Sequence, residues 1–186
     1  MNVAIIGASG YTGLELIKIL INHPKFNIAY IANSSGEMNV QDLHPCLKNV
    51  INMDVSLANA SEVAKVADLA FLALPHKTAM AFAKDLLNLG VKVVDLSADY
   101  RLSLENYEKH YCEHEDKEHI NEAVYGLPEY FKEDIKTANL IANPGCYPTA
   151  SLLALLPFID YIDTDAPIFI DAKSGVSGAG KNPSET

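Results

Sequence analysis

The stretch "VAIIGASGYTGLELIKIL", Val3 to Leu20, decides the fold. A β-branched apolar run leads into Gly7, Gly10 and Gly13, and these lead into a segment where Leu16, Ile17, Ile19 and Leu20 form one apolar helical face. Glycines at a strand-to-helix turn permit a tight bend. They also let backbone N–H groups approach a pyrophosphate, which the positive end of the following helix attracts. The spacing is G-x-x-G-x-x-G, with Ser9 near the second glycine of the commoner G-x-G-x-x-G turn. A tight βα turn with no ligand is the plainer reading; the position at the first strand of an alternating chain favours a dinucleotide site.

That alternation continues outward. Strands are expected at Asn2–Ile6, Asn27–Ala32, Leu69–Leu74, Val91–Leu96 and Asn139–Ala142. Helices are expected at Thr12–Asn22, Ala60–Val66, Thr78–Leu89 and Thr149–Leu156. Near-continuous apolar runs such as "AFLAL" suit strands buried on both faces of a parallel sheet with crossover helices. The polar stretch "SLENYEKHYCEHEDKEHINEA", residues 103–123, breaks the pattern and reads as a solvated surface excursion. A metal site from His110, Cys112, His114 and His119 is the sharper reading, but their spacing matches no standard zinc pattern, so no metal is expected.

Apolar residues make up 49% of the 186 and charged residues 20%, the balance of a folded chain of about one domain. A net charge of -10 repels polyanions, so neither nucleic acid nor an anionic membrane surface is an expected partner. The opening "MNVAIIGASG" has no basic lead-in, and no apolar run approaches the roughly 20 residues of a membrane span. Cys46, Cys112 and Cys146 are an odd number at wide spacings, which suits free thiols in a reducing compartment. A cytoplasmic location is the expectation. The end, "SGAGKNPSET", follows the strand-like "PIFIDAKSG" with no closing element, so the sequence is expected to stop inside a domain.

Two features carry chemistry. About 20 residues beyond the glycine turn, where an acidic side chain would hold the ribose 2'-hydroxyl of NAD, the chain reads "ANSSGEM". Asn33, Ser34 and Ser35 are neutral donors, which tilts the cofactor toward NADP, although no Arg or Lys stands among them and Glu37 is close. The second feature is "NPGCYPT", residues 143–149. Pro148 fits a first helical turn, so Cys146 lies at or just before a helix N-terminus, where the dipole favours a thiolate. The preceding strand ends at the carboxyl edge of the sheet, where ligands of such folds bind. A free cysteine is commonly a small buried hydrophobe, so filler and nucleophile both remain open on these grounds. Such a thiolate beside a nicotinamide can form a thioester that accepts a hydride. Of the histidines, His76 in "LALPHK" is the one expected at that edge, as a proton-transfer group or a plain loop residue.

"GASGYTG", "LALPH", "DLSADYRL", "YGLPE", "NPGCYPT" and "KSGVSGAGK", in this order, resemble the N-acetyl-gamma-glutamyl-phosphate reductase family of arginine biosynthesis, related to aspartate-semialdehyde dehydrogenase. The resemblance implies an NADPH-dependent reductase of N-acetyl-glutamyl 5-phosphate. An aspartyl-phosphate reductase, or a nucleotide-binding module without catalysis, is the alternative. It implies an NADP(H)-binding Rossmann domain at 1–147, a parallel sheet with helices on both faces. The start of a second, mixed α/β domain for catalysis and oligomerisation, a dimer or tetramer, follows at 148–186. Cys146 falls on the family's nucleophile and Arg101 on the position that holds the substrate phosphate; the plainer role for Arg101 is a surface ion pair with Glu105. Gly7, Ser9, Gly10, Tyr11, Thr12 and Gly13, with Ser34, Ser35, Pro75, Ser177 and Gly178, fall on the cofactor side. Lys77 departs from the glycine common after "LPH", and the family's catalytic histidine is expected beyond residue 186.

Overall fold

The computed structural model describes residues 1–181. Its elements run β1 (Asn2–Ile6), α1 (Tyr11–Ile21), β2 (Asn27–Asn33), β3 (Met38–Asn39), α2 (Val40–Leu43), β4 (Asp54–Leu57) and α3 (Ala60–Val66). They continue with β5 (Leu69–Leu72), α4 (Thr78–Asn88), β6 (Lys92–Asp95), α5 (Leu104–His110), β7 (Val124–Tyr125), α6 (Pro128–Thr137), β8 (Leu140–Ala142) and α7 (Cys146–Leu155).

The strands form one sheet in the order β3-β4-β2-β1-β5-β6-β8-β7, parallel except for the β3–β4 pair. β1 sits inside the sheet, paired on one side with β2 and on the other with β5. The chain leaves β1 in one direction through β2 and β4, then returns across it to β5. The strand order therefore reverses beside β1, and the crevice at its carboxyl end is where ligands of open α/β sheets bind.

Alternation along β1 explains the two-sided core. Val3 and Ile5 point into one apolar cluster with Ile17 and Leu20 of α1, while Ala4 and Ile6 point into another with Val63 of α3 and Met80, Ala83 and Leu86 of α4. All four β1 residues are fully buried, which is why the strand reads as an unbroken apolar run.

The expected strands are found, each shifted by at most two residues at an end, and β3, β4 and β7 are additional. β3 and β7 are two-residue strands at the sheet edges, and β4, next to the β3 edge, reads "DVSL" with little apolar signal. The helix expected from Thr149 begins at Cys146, because Pro148 is tolerated within a first turn whose N–H groups lack intrahelical partners anyway.

Two expectations need correction. The stretch 103–123 is only in part a solvated excursion: most of its residues are exposed, but Tyr107, His114, Asp116 and Ile120 are buried. Its buried polar groups are satisfied by one another and by Asp99 and Tyr100. The Tyr100 hydroxyl donates to the Asp116 carboxylate at 2.7 Å, and the Asp116 N–H donates to His114 Nδ1 at 3.0 Å. That bond fixes the proton of His114 on Nε2, which donates to the Asp99 carbonyl at 2.9 Å. The segment "PIFIDAKSG" forms no strand, since it finds no ladder partner among the described residues, and Phe169 is 93% exposed. Over the stretch expected to begin a second domain, 148–186, the described residues form most of α7 and short 3-10 turns, and residues 182–186 lie outside those described.

Candidate active site

The glycine turn is shaped by backbone approach. Gly7 has φ +91°, and a Cβ there would run into the Ala73 carbonyl that follows β5. A Cβ on Gly13 would stand 2.6 Å from the Gly7 carbonyl oxygen and 2.7 Å from Ala8 Cα, so α1 can lie against the turn only without a side chain. Gly10, the N-cap of α1, differs: a Cβ there would meet no atom within 4 Å. Open space thus faces the start of an 11-residue helix with no acidic residue in its first turn, with exposed Tyr11 and Thr12 beside it. These residues fit a dinucleotide pyrophosphate, which needs close backbone, free N–H groups and no opposing charge.

Two buried polar side chains hold the turn. His44 Nε2 donates to the Ala8 carbonyl at 2.6 Å, and the Asn33 amide donates to Ser9 Oγ at 3.1 Å. Asn33 Oδ1 also accepts from the N–H groups of Ser35 and Gly36, at 2.8 and 2.6 Å. Asn33 therefore ties the glycine turn to the end of β2 and leaves Ser34 and Ser35 exposed beside it. His44 carried no sequence signal: "LHPC" reads as an ordinary loop until the fold brings it under Ala8.

Beyond β5, Pro75 and His76 are exposed, and the His76 ring meets Tyr111 edge-on at 6.1 Å. No hydrogen bond joins His76 to Cys146 among the described residues. Lys77 has φ +70°, which explains the glycine the resemblance leads one to expect there; a lysine accepts roughly 1 kcal/mol of strain. The conformation is held by Asp99. This buried carboxylate accepts from the N–H of Lys77 at 2.9 Å, from the N–H of Met80 at 2.9 Å and from the Tyr107 hydroxyl at 2.7 Å. Asp99 thus caps α4 from outside the helix.

Cys146 is the first residue of α7, with its thiol side exposed and Gly145 as N-cap. Arg101 lies against that cap: a Cβ on Gly145 would be 3.1 Å from Arg101 Nη1. Arg101 Nε donates to the Asn143 carbonyl at 2.8 Å and Nη2 donates to the Leu96 carbonyl at 2.7 Å. The guanidinium therefore clamps the loops that follow β6 and β8, and it makes no ion pair with Glu105 among the described residues. Below it, Asp95 is fully buried and accepts from the Ser97 N–H and hydroxyl at 3.0 and 2.6 Å. Burial pushes its carboxyl up to about 6, against the pull of those hydrogen bonds.

A cavity of about 490 Å³ opens between α7 and residues 170–175, with Cys146, Tyr147, Ser151, Asp171, Lys173 and Ser174 on its wall. Ser177 and Gly178 lie just beyond it, in the exposed 3-10 turn Val176–Ala179. Among the described residues no group of three or more His, Cys, Asp or Glu side chains is arranged to hold a metal ion.

The sheet, its switch point and the glycine turn are those of a dinucleotide-binding fold, and comparison with known proteins specifies which. Residues 2–138 match the family model "Semialdehyde dehydrogenase, NAD binding domain" and residues 146–186 match "Semialdehyde dehydrogenase, dimerisation domain". The chain belongs to the semialdehyde dehydrogenase family. The N-acetyl-gamma-glutamyl-phosphate reductase of Sulfurovum sp. is 61% identical over 100% of the chain and 56% of the relative. That of Wolinella succinogenes is 60% identical over 96% of the chain and 53% of the relative. The chain spans about half the length of these curated relatives. Among solved structures, the aspartate semialdehyde dehydrogenase with NADP from Candida albicans has a TM-score of 0.65 at 17% identity, over 86% of this chain and 47% of that one. Aspartate semialdehyde dehydrogenase II from Vibrio cholerae has 0.60 at 21%, over 87% and 43%. At such identities these two speak for the fold alone.

Proposed function

We propose that the protein is an N-acetyl-gamma-glutamyl-phosphate reductase, reducing N-acetyl-glutamyl 5-phosphate to the 5-semialdehyde and phosphate with NADPH. One observation carries the reading: Cys146, exposed at the first position of a ten-residue helix, opens into a cavity on the carboxyl edge of the sheet that bears the glycine turn. The names of relatives up to 61% identical support the substrate.

The thiolate of Cys146 attacks the acyl carbon and expels phosphate, leaving the acyl group on sulfur. Arg101 spends two of its three nitrogens on backbone carbonyls, so Nη1 beside Gly145 is the group left for a phosphate oxygen. A dinucleotide held at the glycine turn would supply the hydride that converts the thioester to aldehyde and releases the Cys146 thiolate. Gly7, Ser9, Gly10, Tyr11, Thr12 and Gly13 receive its pyrophosphate, Ser34 and Ser35 its adenosine-ribose end, and Pro75, Ser177 and Gly178 flank the nicotinamide side. Neutral Ser34 and Ser35 admit a 2'-phosphate, which supports NADP.

Residues 1–147 serve as the nucleotide domain, and the stretch from 148 belongs to a catalytic and oligomerising domain in a dimer or tetramer. The exposed apolar side chains of that stretch and its family description support this part of the reading. Among the described residues no helix is long and apolar enough to cross a membrane. Three free cysteines favour a reducing, cytoplasmic setting.

Cys146→Ser tests the mechanism. Turnover and stoichiometric release of phosphate from the acyl phosphate should be lost, while NADPH binding by fluorescence titration stays within about twofold of the parent, the thiol being the nucleophile and not a cofactor contact. Full turnover in that variant would overturn the thioester route.

A further inference from the structure

The glycine turn that fits a pyrophosphate contains no charged side chain: Gly7 to Gly13 reads "GASGYTG". The first turn of α1 adds no charge of either sign, and its Lys18 lies at the far end. The ligand brings two negative charges to a protein whose net charge is already -10. Backbone N–H groups and a helix dipole supply only partial positive charge. A cation close to the turn is the missing complement, and the fold delivers one from the far end of the described chain.

After the 3-10 turn Val176–Ala179, Gly180 adopts φ +98°, a conformation that a side chain would strain. Lys181 then lies over the glycine turn, its ammonium donating to the Ser9 carbonyl at 3.5 Å. Ser9 immediately precedes Gly10, the N-cap facing open space. Lys181 forms no ion pair among the described residues, so its charge is available to a ligand at the turn. The residue lies outside the segment matched as the NAD-binding domain, residues 2–138, and inside the one matched as the dimerisation domain.

We propose that Lys181 is a ligand of the cofactor pyrophosphate, brought by the second segment of the chain to a turn that has no cation of its own. The inference rests on the reading that the glycine turn holds a dinucleotide. An ammonium on a four-carbon stem acts on phosphate as a mobile point charge, so it can leave the Ser9 carbonyl and follow the phosphate as it arrives. Gly180 sets its approach.

Fluorescence titration of NADPH and NADH with the full chain tests this. Lys181→Met should weaken both dinucleotides by about tenfold, the loss of one charge-assisted contact, and Lys181→Arg should restore most of it. The ratio of variant to parent Kd should shrink as salt is raised, since the lost term is electrostatic. Unchanged melting temperature separates lost contact from lost fold. Unchanged affinity would overturn the proposal, and so would a loss confined to NADPH, which would assign Lys181 to the 2'-phosphate. If the parent chain bound neither dinucleotide, the reading of the glycine turn would fall, and this inference with it.

Discussion

Residues 2–142 and residues 146–181 have similar proportions of aliphatic and aromatic side chains and opposite fates. In the first stretch β1, β2, β5, β6 and β8 supply one another with ladders, and α1, α3 and α4 close both faces, so Ile5, Ile6, Leu72 and Leu86 leave water completely. In the second no residue is buried. Tyr161, Phe169 and Val176 are 89%, 93% and 94% exposed, and α7 buries none of its leucines. Apolar composition alone does not make a core. It becomes one only where the same stretch provides the opposing surface, and a helix apolar on several sides needs a surface from elsewhere. The family description of residues 146–186 as a dimerisation domain names one such surface.

The largest expected effect breaks the first region at its tightest point. Gly7→Ala places a methyl group against the Ala73 carbonyl at φ +91°, and neither β1 nor β5 can retreat without disturbing its ladder. Backbone collision and left-handed strain together should cost about 3 kcal/mol or more, seen as a large fall in the urea midpoint. The open position Gly10 is the internal control. Gly10→Ala should fold with nearly parental stability yet bind dinucleotide more weakly, because its Cβ enters the space left for the ligand. Equal stability of the two variants would refute the account of the turn.

That contrast also shows what could be read from the sequence. The parallel sheet was legible because β1 and β5 are buried on both faces and their apolar runs admit one interpretation. Cys146 and the glycine turn were legible because local rules put a proline in a first turn and glycines where backbones meet. Asp99 stands within the motif "DLSADYRL", but its role as the cap of α4 depends on a contact across 22 residues to Lys77 that no local pattern signals. His44 and Lys181 reach the turn across 36 and 172 residues, and only the fold brings them there. The stretch 103–123 misled for a related reason. Tyr107, His114 and Asp116 look as solvated as their exposed neighbours and become buried only as members of a hydrogen-bonded set with Asp99 and Tyr100.

An intermediate effect concerns pH. Asp95 lies under the loops that Arg101 clamps, and its carboxyl rises from 3.8 to about 6 on folding. A raised acid stabilises the fold fully below the unfolded value, and that contribution is lost as pH rises through the folded one. From about pH 3 to about pH 7 the loss should reach roughly 3 kcal/mol, about two thirds of it between pH 4 and 6, at 1.36 kcal/mol for each tenfold change in proton affinity. Asp95→Asn keeps an acceptor for the Ser97 N–H and removes the titration. The difference in unfolding free energy between parent and variant should therefore change across that window and be flat above about pH 7. A constant difference from pH 4 to 6 would show that Asp95 titrates normally.

The smallest effect is expected in the second region, and its smallness is informative. Phe169→Ser exchanges a 93% exposed aromatic ring for a hydroxyl, so urea unfolding followed by the signal of the sheet should shift by less than about 0.5 kcal/mol. Association should respond instead, because the ring lies in the segment matched as a dimerisation domain. Sedimentation at increasing concentration should show weaker self-association in the variant. A loss of stability above about 1 kcal/mol at a concentration where the parent is monomeric would mean that Phe169 packs against the first region, removing the contrast between the two stretches. An unchanged association constant with unchanged stability would place the covering surface on other residues of the same stretch, Tyr161 and Val176 being the next to exchange.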